Sequence, residues 1–129
     1  MQKRGTRSLP TEKVSLSTTA TVVAPLYTHN NKKYLEFKMS RAAAGIIKEA
    51  HISVQDALVT AKVQNPLVGD VLRVKVPWKG RNHICKVTGN KPLCGLVEGD
   101  KVKIEVDFCG AWIVADFSGT SWKLVSLEG

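Results

Sequence analysis

A two-residue alternation of apolar and polar side chains recurs along this chain and is cut at short intervals by turn-forming residues. Between residues 101 and 108, Val102, Ile104, Val106 and Phe108 alternate with Lys103, Glu105 and Asp107. Successive side chains of a strand point to opposite faces, so this segment predicts a strand with one buried and one wet face. Val14, Leu16, Thr18, Ala20 and Val22 repeat the pattern, and Pro25 is expected to end that strand. Beyond the turn formers at 28–33, Leu35, Phe37 and Met39 alternate with Tyr34, Glu36 and Lys38, which predicts a hairpin with the preceding strand. Further strands are expected over 58–63, 72–76, 83–87, 112–117 and 122–127, the last two separated by Ser118-Gly119-Thr120.

One stretch changes period. Ser40 can cap a helix over 41–50, with Ala43, Ile46, Ile47 and Ala50 on one face, although Gly45 weakens it by about 1 kcal/mol relative to Ala. The expected class is therefore all-β with one short helix, arranged as a small antiparallel barrel. Among such barrels the OB-fold, five-stranded with room for a helix and extra hairpins, suits the counts best; a jelly roll or SH3-like barrel comes second. At 129 residues the chain fits one domain, expected over 14–129, preceded by a flexible basic arm over 1–13.

Nineteen Lys and Arg against eleven Asp and Glu give a net charge of +8, which favours an anionic partner. The charge is not spread evenly. Residues 71–91 carry six basic side chains (Arg73, Lys75, Lys79, Arg81, Lys86 and Lys91) and no acid, whereas 92–129 carry three basic and six acidic ones. An acid-free window of that length points to a binding face rather than to solvated surface. No apolar run is long enough for a membrane span, and the first ten residues have no apolar signal core, so an intracellular location and no membrane partner are expected: cytoplasm, nucleoid or nucleus, in a host cell if the source is viral. Three cysteines, Cys85, Cys94 and Cys109, fit reduced thiols better than a disulfide framework.

Catalytic patterns are missing. There is no nucleophile elbow, phosphate loop, zinc-protease helix or EF-hand, and His29, His51 and His83 stand singly. His83, Cys85, Cys94 and Cys109 are of zinc-ligand type but lack the paired spacing of structural zinc sites. The sequence therefore predicts a protein that is not an enzyme and needs no metal or cofactor.

The strongest constellation runs from Arg73 to Lys86. Arg73 and Lys75 are expected on the face opposite Leu72, Val74 and Val76, with Trp78 just before a turn that carries Lys79 and Arg81. Cations spaced along a groove neutralise phosphates, and an exposed aromatic stacks an unpaired base, the combination that single-stranded nucleic acid requires. Tyr34, flanked by Lys32, Lys33 and Lys38, is a second candidate platform. Each aromatic has a plainer alternative: Trp78 as a core tryptophan, Tyr34 as a strand tyrosine covered by neighbours. Trp112 and Trp122 fit packed positions better than ligand contacts.

The closing pattern, Glu98-Gly99-Asp100-Lys101-Val102-Lys103-Ile104-Glu105-Val106, then Trp112 and Gly119-Thr120-Ser121-Trp122-Lys123-Leu124, resembles the C-terminal strands of OB-fold single-stranded DNA-binding proteins of DNA phages and large DNA viruses. Asp70-Val71-Leu72-Arg73-Val74-Lys75-Val76-Pro77-Trp78 fits that family's habit of placing basic and aromatic residues on barrel strands. Phage members often end in an acidic tail that recruits replication partners, and Leu127-Glu128-Gly129 departs from that pattern. The expected function is sequence-tolerant binding of single-stranded DNA in replication, recombination or repair, with RNA also open. Lys32, Lys33, Lys38, Arg73, Lys75, Lys79, Arg81 and Lys86 would meet phosphates, and Tyr34 and Trp78 would stack bases. The alternative is a small all-β assembly protein of virion type that uses its basic arm on nucleic acid. Exposed edge strands make a homodimer conceivable in either case.

Overall fold

The computed structural model describes residues 7–8, 14–58, 62–79, 82–83 and 85–129. Most of the expected arm, and Arg81 with it, lies outside the described residues. Those residues form one helix and eleven strands: β1 (Arg7–Ser8), β2 (Ser15–His29), β3 (Lys32–Lys38), α1 (Arg41–Ser53), β4 (Lys62–Gln64), β5 (Leu67–Val68), β6 (Val71–Val76), β7 (Trp78–Lys79), β8 (Asn82–His83), β9 (Lys86–Thr88), β10 (Lys101–Val114) and β11 (Phe117–Glu128). The protein is thus mostly β with one helix, as the periodicity predicts.

Five of the strands close on themselves: β2 pairs with β3, β3 with β6, β6 with β11, β11 with β10, and β10 again with β2. The expectation of a purely antiparallel sheet is corrected here, because β6 and β11 run parallel at Lys75 and Lys123. The reason is geometric. Directions alternate around an antiparallel ring, and with an odd number of strands they cannot alternate all the way round, so one junction must be parallel. β4 and β9 also join β11 in parallel, on either side of β6.

Closure is strongly staggered. From Tyr27 on β2 the register passes through Tyr34, Lys75, Lys123 and Asp107 and returns to β2 at Ser15, twelve residues earlier on the same strand. Such a shift between the start and end of a circuit is what tilted strands need in order to meet. It also explains why β2 is 15 residues long: its first half serves β10 and its second half β3. Pro25 accordingly does not end the strand. It sits where the register is irregular between Ala24 and Tyr27, and a residue without an N–H is tolerated where the ladder is already broken.

Three further expectations change. The segments 112–117 and 122–127 are not separate strands, because β10 and β11 run continuously and turn at Ala115 and Asp116, with Ala115 at a positive φ of 52°. Ser118-Gly119-Thr120 lies inside β11, and both hydroxyl residues are buried. The strand expected over 83–87 is broken: β8 pairs with β7 in a separate two-stranded sheet, while β9 pairs with β11. Between them His83 Nδ1 donates to the Cys85 carbonyl over 2.9 Å, closing a bend. Of the strand expected over 58–63, residues 59–61 lie outside the described residues, and β4 starts only at Lys62.

The interior takes the alternate residues marked by the sequence: Leu35 and Phe37 from β3, Leu72, Val74 and Val76 from β6, Val102, Ile104 and Val106 from β10. Ser40 caps α1 by accepting from the Ala43 N–H. The helix extends to Ser53, and Ala43, Ala44, Ile47 and Ala50 are its buried residues. Ile46, expected on the buried face, is 43% exposed because the buried stripe passes through Ala44 instead. No helix among the described residues is long and apolar enough to cross a membrane.

Candidate nucleic-acid interface

The pleat divides the predicted site residues between two sides of the β3–β6 ladder. Tyr34 and Lys75 are direct cross-strand partners, as are Glu36 with Arg73 and Lys38 with Val71. These alternate with the buried Leu35, Phe37, Leu72 and Val74, so they occupy the outer surface. The register carries that surface one strand further in each direction, placing Tyr27 beside Tyr34 on β2 and Lys123 beside Lys75 on β11. Two tyrosines and two lysines therefore lie in one row across four strands.

Within the row the aromatic groups touch. The Tyr27 and Tyr34 ring centroids are 5.8 Å apart at an interplanar angle of 31°, and the Arg73 guanidinium carbon lies 5.0 Å from the Tyr34 centroid. The Tyr27 hydroxyl donates to Glu36 Oε2 at 2.6 Å. Burial, with that bond and the Glu36 charge adding to it, pushes the Tyr27 phenol up to about 12. It stays a neutral donor across the physiological range. Tyr34 is half-buried, so part of its surface faces solvent.

Lys33 and Trp78 belong to the other side. Lys33 shares the parity of Leu35 and Phe37 but stands beyond the core, where its ammonium donates to the Thr28 hydroxyl at 2.9 Å and sits 5.3 Å from the Trp78 ring centroid. Trp78 is half-buried, packs against the core, and meets His83 edge-on at 5.9 Å. Its indole N–H is buried with no hydrogen-bond partner among the described residues. The features of a core tryptophan and of a cation-flanked aromatic thus meet in one residue.

The remaining predicted cations are spread out. Lys32 is exposed at the tip of the β2–β3 hairpin, and Lys38 lies at the opposite end of β3, roughly 13 Å from Tyr34 at ~3.3 Å per residue. Lys79 is exposed on the small β7–β8 hairpin, and Lys86 pairs with Ser126 along β11. Lys86 also borders an open cavity of about 640 Å³ with a mixed lining from β2, β9, β10 and β11 that includes Thr19, Lys103, Ile104, Ser126 and Leu127.

The sequence pattern by itself marks neither Tyr27 nor Lys123 as a site residue. Tyr27 falls beyond Pro25, where a strand should have stopped, and Lys123 lies in the acidic final third, so only the staggered register brings them beside Tyr34 and Lys75. Of the four residues of zinc-ligand type, Cys85 is buried while Cys94 and Cys109 are exposed. Burial raises the Cys85 thiol above its ordinary range. No group of three or more His, Cys, Asp or Glu gathers in metal-binding geometry among the described residues. No family model matches the chain, and comparisons with curated proteins and with solved structures return no match.

Proposed function

We propose that the five-stranded ring is an OB-type barrel and that the outer face of its second and third strands, β3 and β6, binds single-stranded nucleic acid without strict sequence preference. The observation that carries this reading is the row Tyr27, Tyr34, Lys75 and Lys123. The row sets the cations Lys75 and Lys123 beside two tyrosines on neighbouring strands, the pairing of phosphate contact with a stacking surface that an unpaired strand requires. The tyrosine pair next to them, its rings tilted by 31°, offers aromatic surface to a base from the same strand, and Arg73, whose guanidinium carbon lies 5.0 Å from the Tyr34 centroid, adds a cation beside it. OB barrels use the face of their second and third strands, and the loop joining their first two, for oligonucleotides and oligosaccharides. Here the corresponding loop is Asn30-Asn31, flanked by the paired strand ends His29 and Lys32. Lys32, Lys33, Arg73, Lys75 and Lys123 serve the phosphates in this reading, and Trp78 with Lys33 extends the path around the end of the ladder.

The test is a fluorescence titration with a mixed-sequence single strand, the matching duplex and an RNA of the same sequence, at two salt concentrations. Tight, salt-dependent binding of single strands over duplex supports the proposal, and its absence overturns it. Repeating the titration after deleting residues 1–13 distinguishes this face from an arm-driven assembly protein, which would lose nearly all binding.

A further inference from the structure

A carboxylate stands in the middle of the basic face. Glu36 is half-buried on β3, two residues from Tyr34 on the same side, between Ala24 of β2 and Arg73 of β6. A surface made only to attract phosphates would not place an anion there. Arg73, the direct register partner of Glu36, turns over the Tyr34 ring, and no ion pair between the two side chains is among those described. The neutral Tyr27 hydroxyl holds Oε2 at 2.6 Å, leaving Oε1 with no described hydrogen-bond partner.

We infer that Glu36 reads the edge of a base stacked on Tyr34, selecting bases that carry an amino group, cytosine above all among pyrimidines, over thymine or uracil. The inference rests on the nucleic-acid reading of this face. A carboxylate only accepts hydrogen bonds, so it suits the amino hydrogens of cytosine and meets the carbonyl oxygens of thymine with repulsion. The Tyr27 bond holds one carboxylate oxygen of Glu36 beside the tyrosine pair on which a base would stack.

Binding of oligo-dC and oligo-dT of equal length to the full chain, at one salt concentration and neutral pH, tests this. Wild type should bind oligo-dC about tenfold more tightly, within the discrimination a well-placed polar contact gives. In Glu36→Gln the preference should collapse, chiefly through tighter binding of oligo-dT. Tyr27→Phe, which keeps the carboxylate but frees it to move, should reduce the preference in part, and it serves as the second variant if Glu36→Gln fails to fold. Equal wild-type affinities, or a Glu36→Gln variant that gains equally on both strands, would overturn the inference and leave the binding face standing. Failure of wild type to bind either strand would overturn the face and the inference together.

Discussion

The indole N–H of Trp122 donates to Nε2 of His51 over 3.0 Å, tying the last turn of α1 to the buried side of β11. The same imidazole lies against Phe108, which itself packs on Trp122 with centroids 5.0 Å apart. An imidazole that accepts at Nε2 must be neutral or lose the bond, and burial holds the His51 pKa below its ordinary 6.5. In the unfolded chain His51 takes its proton near pH 6.5; in the folded chain it refuses it until lower pH. Its contribution is therefore complete above about pH 6.5 and is lost as pH falls below it, by at most about 1.4 kcal/mol per pH unit. Denaturant midpoints measured between pH 5 and 8 should fall on the acid side, and His51→Gln should flatten that slope.

Tyr27 gives the opposite sign at the alkaline end. With its phenol raised to about 12 by burial and by Glu36, stability from this group is present below the ordinary tyrosine value of 10.0 and is lost as pH rises from there toward 12. Ultraviolet titration of the phenols should show a late-ionising group that disappears in Tyr27→Phe.

Tyr34→Ala should cost about 1–3 kcal/mol of single-strand binding, the range for one lost base stack, while Tyr34→Phe keeps the platform and most of the affinity. Unchanged affinity in a folded Tyr34→Ala protein would remove Tyr34 from the interface.

The lysine pair has a different signature. Each phosphate contact on a single strand contributes about −0.7 to the slope of log K against log salt, so Lys75→Gln with Lys123→Gln should reduce the slope by about 1.4. Affinities compared at several salt concentrations separate this from a packing defect, which would leave the slope unchanged.

Gly119 has no room for a side chain. A Cβ there would lie 2.6 Å from the Gln64 carbonyl oxygen and 2.9 Å from the Trp112 ring. Gly119→Ala should destabilise the protein by about 1–3 kcal/mol, the usual cost of overpacking, and a thermal melt reads it directly. The loss should fall on the β4–β11 pairing, since Gln64 is Gly119's register partner.

Alternation made the inward residues of β3, β6 and β10 readable in advance, because burial on one face imposes a two-residue period whatever the strand order. Ser40 as a helix cap was readable for an equally local reason. Features set by distant partners were not. Nothing local distinguishes a Pro25 that ends a strand from one that occupies an irregularity in a longer strand. Ser118-Gly119-Thr120 has the composition of a turn, yet it is buried because Trp112 and β4 close over it. On the candidate face, Arg73, Lys75 and Tyr34 were legible as outward residues of their strands, but their junction with Tyr27 and Lys123 depends on how the ring closes. The separation of Trp78 and Lys33 from Tyr34 follows from the pleat at a strand end, where the alternation has too few residues to read.

Because the circuit of strands begins and ends on β2, the spacing between Ser15 and Tyr27 acts as a gauge for the whole molecule. One residue added within it would turn the outward side chains of one half inward, or pull the tyrosine row out of line with the lysines. The irregular stretch around Pro25 can absorb such a change, since its ladder is already interrupted. Length variation in relatives of this chain should therefore collect beside Pro25 and be rare over 15–21, where β2 is locked to β10.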